Sequence, residues 1–368
     1  MQKKQVALID VGSSKMTAII GERGINKTFI IKAKKEFFYD GFSERSFFDV
    51  EDTKKTIISA AKFLILSSSK NIEELYIGVP GEFTNVIVKD SQISFPKKKK
   101  ITDIEIDALY DAAFVMSSAK YTLINRSAIT YEIDDSRRLS DPIGISSMVF
   151  KGKLSFVLCD NYFIEAIKPS LNAVGFSNIE FVSIPLAQAM YLLQAEERDR
   201  IAMIADIGYI SSTFSIVQGD GIIYQKSFSF GGGYVTANIS EKFLIDFDTA
   251  ESLKRKVNLC QESGGEYDLV SGDNGEYYSS ETLRTLINNS LDTVCEEISN
   301  AMYDSGYVIP EYVPLFITGG GIAFIRGAKE KISNRLGVTV NILSPKVPLM
   351  DKPTESSVLS VLDLVFND

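Results

Sequence analysis

The chain has 368 residues, a length that suggests two or three domains with room for a sizeable buried core. Its formal net charge of −9 argues against nucleic acid as a principal partner. The sequence contains no histidine, which excludes Ser–His, Cys–His and histidine–metal catalysis. Its three cysteines are far apart, which predicts buried thiols in a reducing compartment. No apolar run approaches the ~20 residues of a membrane span, and we expect a cytoplasmic protein.

The first motif lies near the start of the chain. An apolar run ends in Asp-x-Gly-Ser-Ser-Lys at residues 10–15, and a second apolar run follows at once. This order predicts a strand, a tight turn and a second strand. Gly12 would let the turn approach an anion closely, Lys15 would add positive charge, and Asp10 could hold a metal ion through water. An ordinary hairpin with a Gly-Ser turn fits the same residues, so this stretch alone leaves both interpretations open.

Further elements follow in order. We expect a third strand over 28–35, a helix over 49–69 and a short buried strand over 75–79, closed by Pro80-Gly81. The next block predicts strands over 84–89 and 91–95, a basic loop at Lys97–Lys100, a helix opened by a Thr102–Glu105 capping box, and strands over 123–133, 146–151 and 154–160. The four lysines would form either a solvated loop or a contact for an acidic partner.

The second half begins with a helix over 163–174, ended by Gly175, a strand over 181–184 and a helix over 186–197. Residues 201–208 then repeat the opening pattern, with Asp206 at the end of an apolar run and two strands after it. We expect a long helix over 280–305, a strand that runs into Gly319-Gly320-Gly321, and a final apolar helix over 356–366. Two similar halves would place the Asp10 and Asp206 turns on opposite sides of a cleft, a geometry that suits a nucleoside triphosphate with Mg²⁺.

Three motifs in order carry a family resemblance: residues 10–15, Asp206-Ile207-Gly208 and residues 318–321. They resemble the phosphate 1, phosphate 2 and adenosine motifs of the actin/Hsp70/sugar-kinase superfamily. Within it, the chain is similar to the bacterial cell-division protein FtsA over almost its whole length. Residues 141–146 (Asp-Pro-Ile-Gly-Ile-Ser), 78–81 (Gly-Val-Pro-Gly), 185–189 (Pro-Leu-Ala-Gln-Ala) and 250–254 (Ala-Glu-Ser-Leu-Lys) resemble stretches of that family.

The resemblance implies an α/β, actin-like fold: two lobes built on a duplicated ribonuclease H-like unit, with four subdomains and a 1C (SHS2-like) subdomain in place of actin's 1B. It implies subdomain 1A at 1–80 with 161–197, 1C at 81–160, 2A at 198–238 with 306–368, and 2B at 239–305. It also implies binding of ATP and Mg²⁺, with Asp10 and Asp206 near the metal through water. The implied nucleotide-binding residues are Asp10, Gly12, Ser13, Ser14, Lys15, Asp206, Gly208, Ser211, Glu251, Lys254, Gly319, Gly320 and Gly321.

Simpler roles fit several of these residues. The two aspartates could cap turns, Glu251 and Lys254 could form a surface ion pair, and Gly231–Gly233 could serve only as a hinge between domains. The glycines at 319–321 could likewise form a loose loop.

Three departures from the family pattern concern hydrolysis. Tyr209 and Ile210 replace two glycines of the phosphate 2 loop, and side chains there should crowd the phosphate or push it away. Ile184 stands where the superfamily places a water-orienting glutamate, and Thr213 stands where the loop should end in a carboxylate. Asp206 and Gln188 remain as catalytic candidates. The sequence therefore predicts nucleotide binding with weak or absent hydrolysis.

The leading functional hypothesis is an FtsA-like adaptor that polymerises into protofilaments and links the FtsZ ring, through the FtsZ C-terminal tail, to other division proteins. We expect no intrinsic membrane anchor in this chain, and recruitment to the inner face of the membrane at the division site through partners or a missing C-terminal helix. A PilM-like adaptor of a pilus or secretion system is the alternative. A sugar or acetate kinase is a third hypothesis, although the sequence offers no clear candidate for its catalytic base.

Overall fold

The structure is a computed structural model that describes residues 5–24, 28–115, 118–261 and 268–367. Its helices are α1 (Val50–Ser67), α2 (Asp103–Ala113), α3 (Asn161–Val174), α4 (Ile184–Leu192), α5 (Ala195–Arg198), α6 (Gly232–Phe243), α7 (Phe247–Lys256), α8 (Ser280–Asp304), α9 (Ala328–Leu336) and α10 (Ser356–Asn367). Its strands are β1 (Gln5–Val11), β2 (Lys15–Arg23), β3 (Phe29–Phe38), β4 (Phe42–Ser43), β5 (Ser46–Phe47), β6 (Leu75–Val79), β7 (Thr84–Lys100), β8 (Tyr121–Ile133), β9 (Arg138–Leu139), β10 (Ser146–Asp160), β11 (Ile179–Ser183), β12 (Ala202–Ile207), β13 (Ser212–Gln218), β14 (Gly221–Phe228), β15 (Leu269–Ser271), β16 (Tyr277–Ser279), β17 (Leu315–Thr318) and β18 (Val340–Ile342).

Two five-stranded sheets have the same connectivity. The first has the order β11-β6-β1-β2-β3, and the second has the order β18-β17-β12-β13-β14. In each sheet three antiparallel strands are followed by two parallel strands on the other side of the first strand. The internal repeat predicted from the sequence is therefore confirmed, and each sheet forms the centre of one lobe.

Equivalent registers place the two repeated aspartates at equivalent positions. Asp10 lies opposite Thr17 on the neighbouring antiparallel strand, and Asp206 lies opposite Thr213. Each aspartate is also the last but one residue of a central strand that pairs with a parallel neighbour. The carboxyl ends of parallel strands are where ligands bind in such sheets, so the fold brings both predicted phosphate turns to binding edges.

A four-stranded sheet in the order β7-β10-β8-β9 forms a separate layer over residues 84–160. Helix α2 covers one face of it, around a core that contains Leu109, Phe150 and Phe156. The sequence predicted two strands where β7 is continuous over 17 residues, and two where β10 is continuous over 15. The basic loop is also a wrong prediction, because Lys97–Lys100 are exposed residues of β7. An irregularity in this part of β7 sets residues 95–98, which include Lys97 and Lys98, opposite Met148 alone.

Local signals at helix ends are confirmed. Gly175 follows α3 in the left-handed conformation, at φ 109°, and its N–H closes the last turn. Thr102 and Glu105 form the predicted capping box at the start of α2. The helix predicted over 186–197 is in fact two helices, α4 and α5, separated by Leu193 and Gln194 in extended conformation.

The last helix, α10, returns to the first lobe. Val358, Leu359 and Leu362 pack with Val6, Leu8 and Ile19 of the first sheet, in a core that also takes part of α4. This packing contradicts the predicted division in one respect, since residues 306–368 were grouped with the second lobe. The apolar pattern of α10 showed that it is buried but could not show against which of two similar sheets. The remaining subdomain boundaries stay a prediction.

Candidate functional site

A cavity of about 750 Å³ lies between the two repeated turns. Both lobes line it, which is the arrangement the repeat predicted. Its walls include the predicted residues Asp10, Gly12, Ser13, Ser14, Lys15, Gln188, Asp206, Gly208, Ser211, Glu251, Gly319 and Gly320. Two further predicted residues, Lys254 and Gly321, are not among the residues that line it. The volume is in the range of small-molecule and cofactor sites.

Asp10 lies at the base of the cavity on the first lobe. Its side chain is 6% exposed, and the Ser357 hydroxyl donates a hydrogen bond to Oδ2. Its other oxygen, Oδ1, has no hydrogen-bond partner among the described residues. Burial raises the pKa of Asp10 to about 6, and repulsion from Asp206 adds to this rise, while the Ser357 hydrogen bond and the Lys15 charge oppose it. A buried carboxylate with one unsatisfied oxygen is suited to a cation or its water.

Asp206 occupies the equivalent position in the second lobe. Burial raises its pKa, although the Gln188 amide opposes this by donating from Nε2 to Oδ2 over 2.7 Å. Gln188 belongs to α4 of the first lobe, so this hydrogen bond crosses the cleft. Gly319 lies beside the same carboxylate at φ 91°, where a β-carbon would be 2.2 Å from Asp206 Oδ1. Only glycine fits there, because the conformation is left-handed and the space is filled.

The first turn is closed by its own backbone. The N–H of Gly12 donates to the Lys15 carbonyl over 2.9 Å, and the Tyr39 hydroxyl donates to the Gly12 carbonyl over 2.8 Å. The Lys15 ammonium forms an ion pair with Glu36 at 2.7 Å. Lys15 lines the cavity, but Glu36 on the adjacent β3 already balances its charge.

The two phosphate turns contact each other directly. Ser13 Oγ accepts hydrogen bonds from the N–H groups of Ile210, over 3.1 Å, and Ser211, over 3.4 Å. These are the backbone donors that a phosphate group at the second turn would use. The hydroxyl of one lobe therefore satisfies the anion-binding groups of the other.

The two side chains that replace glycines point to different places. The Tyr209 ring packs edge-on against Phe247, with ring centroids 6.3 Å apart. It also lies close to Gly233, because a β-carbon added at Gly233 would be 3.0 Å from the ring. The Ile210 side chain reaches across the cleft to Gly41 of the first lobe, where an added β-carbon would be 3.2 Å from it. Both residues line the cavity, where side chains are expected to crowd a phosphate or push it away. The Tyr209 ring packs toward the second lobe, whereas Ile210 also contacts the first lobe.

Glu251 and Lys254 form a buried cluster. Lys254 is 3% exposed and donates to Glu251 at 2.6 Å, to the Gly232 carbonyl at 2.9 Å and to Thr236 Oγ1 at 2.9 Å. Glu251 also accepts from Arg255 Nε over 2.8 Å. Burial lowers the pKa of Lys254, whereas Lys254 and the hydrogen bonds around Glu251 outweigh burial and lower the pKa of Glu251. The pair joins α7 to the start of α6, and only Glu251 reaches the cavity.

Two glycine runs support the second turn. The N–H groups of Gly232 and Gly233 donate to the carbonyls of Gly208 and Tyr209, over 2.9 and 2.7 Å, and the Gly321 N–H donates to the Ile207 carbonyl over 2.8 Å. The run at 231–233, considered as a hinge from the sequence, therefore braces the phosphate 2 turn where α6 begins. It had no sequence signal beyond its glycines.

The residues present fit a Mg²⁺-bound nucleotide. Within the described ranges no group of three acidic or cysteine side chains could hold a metal ion alone, so a cation would need phosphate oxygens or water as further ligands. Asp10 and Asp206 supply two carboxylates on facing walls, and Oδ1 of Asp10 is unsatisfied. Ile184 is 4% exposed at the wall, so no carboxylate stands there to orient water.

Sequence reasoning missed the contribution of the segment before α10. Pro353, Thr354 and Ser357 line the cavity, yet nothing in a Pro-Thr-Glu-Ser-Ser stretch indicates a ligand site. Only the return of α10 to the first sheet brings these residues to Asp10. Tyr39 and Arg255 also line the cavity and were not predicted.

Comparison with known proteins agrees with this geometry. The chain is 21% identical to the cell division protein FtsA of Staphylococcus epidermidis over 98% of its own length and 79% of the relative's, and 20% identical to FtsA of Neisseria meningitidis over 89% and 81%. The sequence model of the type IV pilus assembly protein PilM matches residues 179–360.

Solved structures with the same fold include a PilM–PilN type IV pilus biogenesis complex, with a TM-score of 0.65 and 16% identity over 100% of both chains. MreB5 of Spiroplasma citri bound to ADP aligns with a TM-score of 0.53 and 12% identity over 99% of this chain and 98% of that one. The chain therefore has the fold of these actin-like proteins and is similar in sequence to FtsA. The predicted actin-like fold and the resemblance to FtsA are thereby confirmed. No helix within the described ranges is both long and apolar enough to cross a membrane.

Proposed function

We propose that this chain is an actin-like adaptor that binds ATP with Mg²⁺ between its lobes and hydrolyses it weakly or not at all. The observation that carries the proposal is the pairing of Asp10 and Asp206 on equivalent strand ends across one cavity. The ADP-bound MreB5 relative supports a nucleotide as the ligand.

Each wall of the cavity would have a distinct task. The backbone N–H groups of the two turns would bind phosphate oxygens, and Ser13 would release the second turn to do so. Asp10 and Asp206 would hold Mg²⁺ through water, and the metal would neutralise phosphate charge. Glu251 and the glycines at 319–321 would border the nucleoside. Because the ligand would contact both walls, its binding would set the angle between the lobes.

Weak hydrolysis follows from the residues around the phosphate side. A water molecule needs a carboxylate or an amide to orient it, and Ile184 offers an aliphatic side chain. Gln188 lies one turn later, but its amide is committed to Asp206.

The test is calorimetric titration of the pure protein with ATP and with ADP, each with and without Mg²⁺, together with phosphate release. Wild type is expected to bind ATP with Mg²⁺ at micromolar affinity, about −8 kcal/mol, and to release little phosphate. Asp10→Asn and Asp206→Asn should each abolish most of the Mg²⁺-dependent affinity, whereas Asp90→Asn, on the exposed part of β7, should not. Absence of wild-type binding, or phosphate release at ordinary ATPase rates, would contradict the proposal.

We propose cell division as the setting, with the chain forming protofilaments and joining the FtsZ C-terminal tail to other division proteins at the inner face of the membrane. Sequence similarity to FtsA over 98% of this chain supports it. Fluorescence anisotropy with a labelled FtsZ tail peptide from the same cell tests the partner. Electron microscopy with ATP and Mg²⁺ tests filament formation.

A PilM-like adaptor is the second candidate, because the PilM sequence model and a PilM–PilN complex both match the chain. Such an adaptor would bind a short cytoplasmic segment of a pilus membrane protein. The same anisotropy assay with an N-terminal peptide of a PilN-like protein from that cell decides between the two. Binding of the pilus peptide but not the FtsZ tail would favour the PilM-like adaptor over the FtsA-like one.

A further inference from the structure

The segment 353–357 connects both lobes and the cavity at one place. The Glu355 carboxylate pairs with Lys34 of β3 at 2.5 Å, and the hydroxyls of Ser356 and Thr318, in β17, are 2.6 Å apart. Thr354 lies against the cavity wall, 2.8 Å from the point that a Gly320 β-carbon would occupy. The segment 353–357 therefore contacts the first lobe through Glu355 and the second through Ser356, the first residue of α10.

Ser357 completes this set with a hydrogen bond to Asp10. Its hydroxyl donates to Oδ2 and leaves Oδ1 without a partner among the described residues. A carboxylate held by one oxygen has a fixed orientation, and hydrogen bonds of this kind to a ligating carboxylate raise metal affinity about 10- to 100-fold. The remainder of α10 is anchored in the core of the first lobe, so Ser357 cannot follow a rotating carboxylate.

We propose that Ser357 is a positioning residue for Asp10, through which the start of α10 sets the carboxylate for Mg²⁺ bound with nucleotide. The inference rests on the proposed nucleotide function. It adds that affinity for the metal-bound ligand depends on a residue some 350 positions from the first phosphate turn, and that α10 in turn is stabilised by that ligand.

The experiment measures ATP affinity of the full chain as a function of Mg²⁺ concentration. Wild type comes first, because failure of wild type to bind would overturn the proposed function, whereas the inference on Ser357 is tested only by differences between variants. Ser357→Ala is expected to raise the Mg²⁺ concentration needed for half-maximal ATP affinity about tenfold. Affinity for ATP without Mg²⁺ should change less than about twofold, because Ser357 acts through the metal-facing carboxylate.

Two further variants separate positioning from a structural role. Ser357→Thr keeps the hydroxyl and is expected to restore the wild-type Mg²⁺ dependence. Ser360→Ala removes another buried hydroxyl of α10, one that has no hydrogen-bond partner among the described residues, and should have no effect. The inference would be overturned if Ser357→Ala lost the same affinity for ATP with and without Mg²⁺. It would also be overturned if Ser357→Thr lost as much affinity as Ser357→Ala.

Amide hydrogen exchange gives a readout independent of affinity. Saturating ATP with Mg²⁺ should slow exchange in the first turn of α10 in wild type, because Asp10 is then held at both oxygens. The same ligand, at a concentration that saturates Ser357→Ala, should leave that turn unchanged. Slowed exchange in both proteins would show that α10 responds without Ser357 and would overturn the proposal.

Discussion

The Ile210 N–H of the second lobe donates a hydrogen bond over 3.1 Å to the Ser13 hydroxyl of the first lobe. The same hydroxyl accepts from Ser211. The hydroxyl lies where one predicted phosphate turn meets the other, so ligand binding must exchange one set of hydrogen bonds for another. The first prediction concerns this exchange.

Ser13→Ala should destabilise the nucleotide-free protein by about 1 kcal/mol, because two backbone donors lose their acceptor. Urea denaturation without nucleotide measures this loss. Ser14→Ala is the matched control and should change stability by less than about 0.5 kcal/mol. A nucleotide-free Ser13→Ala protein as stable as wild type would show that the contact between turns contributes nothing.

Ile184→Glu should increase the rate of ATP hydrolysis. The new carboxylate would stand at the cavity wall where the superfamily has its glutamate, and a positioned base contributes about 10²- to 10⁴-fold to such reactions. Because burial and the neighbouring Asp10 would raise its pKa, we expect the gain to be larger at pH 8 than at pH 6.5. Phosphate release with ATP and Mg²⁺ measures it, and Ile184→Gln is the isosteric control.

Ile210→Gly should increase affinity for ATP more than for ADP. The Ile210 side chain fills the gap between the second turn and Gly41, so its removal frees space beside the outermost phosphate. We expect an ATP-to-ADP affinity ratio raised about fivefold, equivalent to about 1 kcal/mol. Tyr209→Gly should leave that ratio unchanged, because the Tyr209 ring packs toward Gly233 and Phe247. If Tyr209→Gly raised the ATP-to-ADP affinity ratio more than Ile210→Gly, Tyr209 and not Ile210 would be the residue that crowds the outermost phosphate.

Lys254→Ala should cost about 3 kcal/mol of folding stability, because it leaves the Glu251 carboxylate without its buried partner and removes a donor to the Gly232 carbonyl. Arg255→Ala removes the other cation beside Glu251, but Arg255 is largely exposed, and the expected cost is below about 1 kcal/mol. Urea denaturation at pH 7 compares the two. Equal costs would show that burial of Lys254 is unimportant.

Glu105 should give a pH-dependent contribution at the start of α2. Hydrogen bonds from Lys99 and Thr102 lower its pKa to about 2. A lowered pKa stabilises the folded state above the unfolded-state value, and this stabilisation is lost as the pH falls through about 4.5 toward 2. The stability difference between wild type and Glu105→Gln should therefore be constant from pH 7 to pH 5 and shrink below pH 4.5. A difference that grows on acidification would contradict this sign.

The repeat of Asp10 and Asp206 predicted two similar halves around a cleft, and the family resemblance of residues 10–15, 206–208 and 318–321 implied the actin-like fold. The sequence also located the parts of the cavity wall that directly follow the strand ends, at residues 12–15, 208–211 and 319–320. It could not place α10, because an apolar helix fits either of two similar sheets. It could not foresee the separate directions of Tyr209 and Ile210 either, since these depend on contacts with Gly233 and Gly41 from distant parts of the chain.

The return of α10 has a consequence for biosynthesis. Leu362 packs closely on Gly21 of β2, although more than 300 residues separate them in the chain. While a ribosome is still translating the middle of the protein, the first sheet lacks the cover that α10 later provides over Leu8 and Ile19. The strands of the second sheet lie within residues 202–342, and α4, which packs on one face of that sheet, is translated before them. We therefore expect the first lobe, although its synthesis begins first, to complete its folding last. Chaperones that bind exposed apolar strands should act mainly on this lobe.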